Sequence, residues 1–233
     1  MIAPQSLLSR RTLLLSALAL GASACSREAD APASAAADEA APPPSPLAPG
    51  DLPVVALLGD SITAGYGLPA KDALPAQLEA ALAAAGTPAR VRAAGVSGDT
   101  TAGALARVDF SIQDDTDLCV VALGGNDLLQ GIEPATMRAN LEGIITRLKA
   151  RNIPVLLAGM QAPPSYGAYA TDFAAVFEGL ARDHDVALYP FLLDGVALDP
   201  ALNQDDGIHP NAEGVKVIAR RLAPAVAAAL AGA

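Results

Sequence analysis

Residues 54–65 have the sequence VVALLGDSITAG, in which a wholly apolar run ends in a glycine, an acid and a serine. An uninterrupted apolar run before a glycine predicts a strand that is buried on both faces of a sheet. The pattern returns at Leu118–Leu123 and Pro154–Gly159, and shorter runs lie near Ala89–Ala93 and at Val186–Leu188. The sequence therefore predicts five strands, most of them followed by polar or glycine-containing loops.

Helical stretches separate the predicted strands. They lie at Leu74–Ala85, near Thr101–Val108, from Pro134 to about Ala150, near Thr171–His184 and from about Ala212 to Ala231. Strands that alternate with helices predict a parallel sheet covered on both faces, and right-handed crossovers then give a three-layer α/β/α sandwich. The predicted fold class is α/β, with a five-stranded parallel sheet in one domain over residues 52–233. In such sheets, reactive groups gather beyond the carboxyl ends of the strands.

The N-terminal part of the chain is predicted to hold an export signal and a tether. Arg10 and Arg11 precede the apolar run Thr12–Ala24, which ends in small residues and is shorter than the about 20 residues that span a bilayer. Residues 1–24 are therefore predicted to be a signal peptide, and both a twin-arginine and an ordinary secretory signal fit the arginine pair. Residues 25–51 are rich in Ala, Pro, Ser and acids, which predicts a disordered tether.

The two cysteines have different expected roles. Cys25 directly follows small residues, as the lipidated cysteine of a bacterial lipoprotein does, although Ala22 stands where such proteins commonly have Leu. Lipidation of Cys25, which would tether the exported protein to a membrane, and simple cleavage nearby are both open. Cys119 lies in an apolar strand and is expected to be a small buried hydrophobe, so no disulfide framework is expected. The predicted location is the periplasm.

Charge and composition argue against a nucleic-acid partner and leave a small molecule as the expected one. The formal net charge is −10, aromatic residues make up 3% and Trp is absent. Such a chain suits neither a phosphate backbone nor base stacking, so no nucleic-acid partner is expected. The sequence shows no metal-ligand cluster, and neither a metal, a cofactor nor an obligate protein partner is expected. The expected partner is a small-molecule substrate.

Two motifs contain the residue types of a nucleophile and its base. Ser61 directly follows the first predicted strand, and Asp206 stands three residues before His209. At that spacing an acid can hold one imidazole nitrogen while the other faces a serine hydroxyl. Each motif also has a plainer interpretation, in which Asp60 or Ser61 only caps a helix and His209 lies in a polar turn.

Two glycine-containing motifs follow other predicted strands. In the sequence GGND, residues 124–127, two glycines let the backbone approach closely, so that Asn126 can aim its amide at a developing oxyanion. Gly95 lies after the second strand, where its N–H can face a ligand unhindered. Taken singly, these motifs are also ordinary turn sequences. All four motifs follow strands and would meet in one cleft, which is what a serine acyl-transfer site requires.

Together the four motifs resemble the sequence blocks of the GDSL/SGNH hydrolase superfamily, whose fold is flavodoxin-like. The resemblance implies that Ser61 is the nucleophile, with His209 as its base and Asp206 as the residue that orients the base. It also implies an oxyanion hole formed by the Ser61 N–H, the Gly95 N–H and the Asn126 amide. Asp60 and Asp127 belong to the motifs as supporting residues.

Residues 53–230 further resemble the bacterial periplasmic branch of thioesterases, lysophospholipases and arylesterases. In that branch the loop MQAPPSYG, residues 160–167, borders the acyl-chain pocket; here Ser165 stands where an Asn is common. The resemblance implies a set of substrate-binding residues: Asp60, Pro163, Tyr166 and Ile208. The implied reaction is hydrolysis of carboxylic esters or thioesters of acyl chains, with an acyl ester or a lysolipid as substrate.

Two other functions fit parts of the sequence. A carbohydrate O-deacetylase can share this fold, although the scarcity of aromatic residues argues against a sugar platform. A tethered lipid-binding protein without turnover would need no catalytic residues, and the intact set of Ser61, Asp206 and His209 argues against it.

Overall fold

The structure, a computed structural model, describes residues 52–232. The predicted signal peptide, the predicted tether and Cys25 lie outside the described residues. Among the helices of the described part, none is long and apolar enough to cross a membrane.

A five-stranded parallel sheet runs through the domain in the order β2-β1-β3-β4-β5. The strands are β1 (Val54–Gly59), β2 (Arg90–Gly95), β3 (Leu118–Ala122), β4 (Val155–Ala158) and β5 (Ala187–Tyr189). Every residue of β1, β3 and β4 is buried, which explains their wholly apolar sequences, whereas β2 at the edge contains arginines. All five predicted strands are present, so the predicted fold class is confirmed.

Seven α-helices accompany the sheet in the described residues. They are α1 (Ser61–Ala64), α2 (Leu74–Ala84), α3 (Thr101–Ser111), α4 (Gly125–Leu129), α5 (Pro134–Ala150), α6 (Ala168–His184) and α7 (Ala212–Ala231). Helix α2 packs against α7, while α3, α5 and α6 pack in series, which gives the two outer layers. The predicted helices are all present, but α6 begins three residues before the expected Thr171. The short helices α1 and α4 were not among the helices delimited from sequence.

The core lies between the sheet and the two helical layers. Cys119 in β3 is fully buried and unpaired, which confirms its expected role as a small hydrophobe. Burial raises the pKa of its thiol to about 12, so the group stays protonated and unreactive near neutral pH.

Candidate active site

Ser61 is the first residue of α1, directly beyond the carboxyl end of β1. Asp60 is the N-cap of this helix: its carboxylate accepts the Ile62 N–H at 3.0 Å, and its carbonyl accepts the Thr63 hydroxyl at 3.0 Å. The capping interpretation therefore holds for Asp60, while Ser61 makes a different contact. Because the chain turns sharply from strand into helix, the Ser61 hydroxyl lies at the edge of the sheet where polar loops converge.

Two glycines allow α1 to sit on the strand ends. Gly59 in β1 pairs with Gly95 in β2. A Cβ on Gly95 would lie 2.3 Å from the Thr63 hydroxyl, and one on Gly59 would lie 2.5 Å from the Ala122 carbonyl oxygen. Any side chain at either position would push α1 or the neighbouring strand away and displace Ser61.

His209 links Ser61 to Asp206 through its two ring nitrogens. Its Nε2 lies 2.8 Å from the Ser61 Oγ, and its Nδ1 lies 2.6 Å from one carboxylate oxygen of Asp206. The other Asp206 oxygen accepts the backbone N–H groups of Ile208 at 2.9 Å and His209 at 3.0 Å. The structure therefore brings together three of the residues that the sequence singled out, across a separation of 148 positions.

These hydrogen bonds keep Asp206 ionised. The His209 backbone N–H, then the His209 ring and the Ile208 N–H, lower the pKa of Asp206 from 3.8 to about 2. A carboxylate that stays charged can fix the imidazole tautomer and stabilise an imidazolium when the base takes up a proton. The arrangement is that of a general base with its orienting acid. The second histidine, His184, instead contacts Glu142 at 3.1 Å.

The pKa of Asp60 is shifted in the opposite direction to that of Asp206. It is 4% exposed, and burial raises its pKa from 3.8 to about 6, against the opposing effect of the Ile62 N–H. Below pH 3.8 the carboxyl is protonated in both the folded and the unfolded chain. Between 3.8 and about 6 only the folded chain keeps the proton, so the free energy of unfolding falls as pH rises through this range.

We expect Asp60→Asn to remove this pH dependence. Asparagine keeps an oxygen that can accept the Ile62 N–H but carries no charge. The variant should be more stable than the parent at about pH 8, by up to about 3 kcal/mol, and equal to it at about pH 4. Urea unfolding at the two pH values measures the difference. The exposed Asp172 provides the control Asp172→Asn, and a parent that matches Asp60→Asn at both pH values would contradict the expectation.

The expected oxyanion donors are in Gly95, the last residue of β2, and Asn126, the second residue of α4. Val96, not Gly95, donates its N–H to the Gly59 carbonyl at 3.0 Å, and because donors alternate along a parallel ladder, the Gly95 N–H points away from β1. The Asn126 amide donates one N–H to the Asp99 carbonyl at 2.9 Å, which fixes the amide plane and leaves its second N–H to donate elsewhere.

Asp127 supports Asn126 from within the protein. It is fully buried and accepts the Thr101 backbone N–H at 2.9 Å and the Thr101 hydroxyl at 2.5 Å. These bonds join the first turn of α4 to the first turn of α3. The position of Asn126 in α4 is therefore tied to a second helix.

Tyr66 and Gln204 belong to the site but were not predicted. The Tyr66 ring packs against the His209 ring, with the centroids 4.6 Å apart. Gln204 donates to the Tyr66 carbonyl at 2.9 Å and to the Pro210 carbonyl at 3.0 Å, and so fastens the loop of His209 to the segment after α1. The only sequence signal was adjacency, since each residue lies within five positions of a motif residue.

The predicted substrate-binding residues differ in exposure. Tyr166 is 54% exposed in a turn of 3₁₀ helix at residues 164–166, and Ile208, next to His209, is 47% exposed. Pro163 precedes the same turn. Asp60 lies beneath Ser61 as the buried cap of α1. Substrate contact by these four residues stays a prediction.

A groove of about 540 Å³ lies far from these residues, at the amino ends of β3, β4 and β5. Its charged lining residues are Lys149 and Asp185, and no serine, cysteine or histidine lines it. It therefore has no serine–histidine pair like the one at Ser61 and His209. In residues 52–232, no group of three or more His, Cys, Asp or Glu side chains is placed to hold a metal ion.

Known proteins are similar to this chain in sequence and in fold. Residues 57–217 match the family described as GDSL-like Lipase/Acylhydrolase. Esterase TesA of Pseudomonas aeruginosa is 41% identical over 156 residues, 66% of this chain and 78% of that protein. Thioesterase 1/protease 1/lysophospholipase L1 of Escherichia coli K12 is 39% identical over 165 residues, 70% of this chain and 78% of that protein.

Solved structures of esterases have a fold similar to that of this chain. A crystal structure of TesA has a TM-score of 0.69 at 37% identity and covers 74% of this chain and 97% of its own. The esterase AlinE4, of the SGNH-hydrolase family, has a TM-score of 0.65 at 47% identity and covers 77% and 97%. The chain therefore belongs to the GDSL-like lipase/acylhydrolase family and has the fold of SGNH-hydrolase esterases.

Proposed function

We propose that the protein is a serine esterase in which Ser61, His209 and Asp206 form a catalytic triad. The observation that carries the proposal is the continuous chain of hydrogen bonds from the Ser61 hydroxyl through both His209 nitrogens to Asp206, at 2.8 and 2.6 Å. A hydroxyl nucleophile is weak until a base removes its proton, and this geometry supplies the base and fixes its tautomer. Membership of an acylhydrolase family supports the same reaction.

The reaction proceeds in two acyl-transfer steps. The Ser61 Oγ attacks the carbonyl carbon of the substrate while His209 Nε2 accepts the hydroxyl proton. When the tetrahedral intermediate collapses, the bond to the leaving group breaks, and the leaving alcohol or thiol takes the proton from His209. Water then attacks the acyl-enzyme, His209 accepts the proton of that water, and the acid product leaves with Ser61 protonated again.

The negative charge of each tetrahedral intermediate is stabilised by three donors in this proposal. They are the backbone N–H of Ser61, the backbone N–H of Gly95 and the free N–H of the Asn126 amide. The bonds that hold Asn126 and α1 in place support donors that are oriented before the substrate arrives. Such prepared donors contribute strongly because they need no reorganisation during the reaction.

The proposed substrates are carboxylic esters or thioesters of acyl chains, including lysolipids. The relatives are named as an esterase, an arylesterase and a thioesterase/lysophospholipase, which supports this class. Three partly exposed side chains offer apolar surface: Tyr66 after α1, Tyr166 after β4 and Ile208 next to His209. We propose that Pro163, Tyr166 and Ile208 contact the acyl chain, while Asp60 supports Ser61 from below.

We further propose that the protein is exported to the periplasm by its first 24 residues. The arginine pair, the short apolar run and the small residues before Cys25 support export. A lipid on Cys25 would anchor the domain to a membrane through residues 26–51. The mass of the mature N-terminus distinguishes an acylated Cys25 from a simply cleaved chain.

A substrate panel tests the proposed specificity. We expect kcat/KM to be higher for p-nitrophenyl octanoate than for p-nitrophenyl acetate, because a longer acyl chain buries more apolar surface. Initial rates on both esters and on an acetylated sugar, each with Ser61→Ala as the blank, measure the order. A preference for the acetylated sugar would instead identify a carbohydrate O-deacetylase and contradict the proposal.

A further inference from the structure

The Arg107 guanidinium, on α3, lies where the carboxyl ends of β1 and β2 meet the loop after β2. Its Nη2 donates to the Gly59 carbonyl at 2.9 Å and its Nη1 to the Ala94 carbonyl at 2.8 Å. Its Nε donates to the Asp99 carboxylate at 2.6 Å. One side chain therefore joins the last part of two strands to the loop that follows the second.

Each of these partners stands next to a segment that carries an oxyanion donor. Gly59 is two residues before Ser61, and Ala94 is the residue before Gly95. Asp99 uses its carbonyl to accept the Asn126 amide at 2.9 Å. Ser61 and Gly95 are thus connected to the guanidinium through one hydrogen bond and a short piece of chain. Asn126 is connected to it through the Asp99 ion pair and a second hydrogen bond, to the Asp99 carbonyl.

The environment of Arg107 favours a fixed position. The side chains of Arg107 and Asp99 are 18% and 16% exposed, so the ion pair is mostly shielded from water. The guanidinium makes a fourth bond, from Nη1 to the Ser111 hydroxyl at 3.0 Å, and so uses four of its five N–H groups. Lysine cannot reproduce this set, because its three donors radiate from one nitrogen.

We propose that Arg107 is the positioning residue of the oxyanion hole. It holds the Ser61, Gly95 and Asn126 donors at their mutual spacing while touching neither substrate nor nucleophile. The inference rests on the proposed function, since it presupposes that these three groups receive the developing charge. Donor geometry matters most in the transition state, so loss of Arg107 lowers turnover more than substrate binding.

Arg107→Lys tests the proposal while keeping the positive charge. We expect kcat for p-nitrophenyl octanoate to fall by about 10- to 100-fold with KM little changed, as when catalytic groups shift by about 1 Å. Turnover is expressed per active site titrated with a fluorophosphonate, so that partial unfolding does not mimic the effect. The matched control is Arg147→Lys: Arg147 also bonds a carbonyl, of Leu105 at 3.2 Å, and an aspartate, Asp109 at 3.0 Å.

A double-mutant cycle separates positioning from a general loss of structure. If Arg107 acts partly through Asn126, Arg107→Lys should lower kcat by a smaller factor in an Asn126→Ala background than in the parent. We expect the two factors to differ by roughly 2- to 10-fold. Fully additive losses would overturn the link to Asn126. Should Arg107→Lys fail to fold, Asp99→Asn weakens the same ion pair with little change of shape, and we expect it to lower kcat in the same way.

The outcomes distinguish this inference from the proposed function. If hydrolysis still depends on Ser61, a kcat equal to that of the parent in Arg107→Lys would overturn the role of Arg107. Where Arg107→Lys does not fold, the same result in Asp99→Asn would overturn it. A fall in kcat no larger than that of Arg147→Lys would overturn it as well. Hydrolysis that persists in Ser61→Ala would instead overturn the proposed function.

Discussion

Ser61→Ala is expected to lower kcat on p-nitrophenyl octanoate by about 10⁶-fold, the loss seen when a serine hydrolase loses its nucleophile. The methyl group cannot form an acyl-enzyme, so only residual stabilisation by the oxyanion donors remains. The hydroxyl of Ser61 contacts His209 and makes no bond that holds α1 in place, so the fold should persist. Initial rates with purified protein, together with the melting temperature, measure both effects.

Ser97→Ala is the control for this variant. Ser97 is exposed in the loop two residues beyond Gly95, and its hydroxyl bonds no residue of the triad. We expect its turnover to match the parent. A Ser61→Ala protein that keeps more than about a thousandth of parental turnover would contradict the assignment, since loss of a nucleophile costs several orders of magnitude.

Asn126→Ala is expected to lower kcat by about 10²- to 10³-fold, the usual cost of one oxyanion-hole donor. The variant loses the amide that is fixed by the Asp99 carbonyl, while the Asp127 bonds that hold α4 remain. Steady-state kinetics on p-nitrophenyl octanoate measure the change, which should appear in kcat rather than KM.

Asn126→Asp sharpens the comparison. Aspartate has nearly the same shape as asparagine but offers no N–H and places a negative charge beside the developing oxyanion. We expect it to lose at least as much turnover as Asn126→Ala. Parental turnover in either variant would show that the Asn126 amide does not receive the charge of the intermediate.

The strands and long helices could be predicted from sequence because each has an extended signal. Buried runs such as Leu118–Leu123 predict a strand by themselves, and a helix such as Pro134–Ala150 spans several turns. Helices α1 and α4 have four and five residues, too few for a hydrophobic period to show. They form because a capping residue or a glycine turn follows the end of a strand. Their formation therefore depends on the sheet and not on their own sequence.

The contact between Ser61 and His209 could also be predicted, but for a topological reason. Ser61 directly follows β1, and the loops beyond the carboxyl ends of parallel strands gather at one edge of the sheet. His209 lies in such a loop, although it stands 20 residues after the end of β5 and not at a strand end, as the sequence had indicated. No such rule identifies Arg107. Its position in the middle of a predicted helix looks, from sequence alone, like that of any surface arginine. Its partners, the carbonyls of Gly59 and Ala94, belong to the backbone and leave no trace in the sequence. Gln204 was missed for the same reason, since it also bonds backbone carbonyls.

Peptide mass spectrometry after treatment with a fluorophosphonate tests the role of Ser61 most directly, because this reagent bonds preferentially to a serine that is activated as a nucleophile. We predict a single phosphonyl adduct on the peptide that contains Ser61, and no adduct in the Ser61→Ala protein. An adduct on another serine, or labelling that survives Ser61→Ala, would contradict the claim that His209 activates Ser61 for acyl transfer.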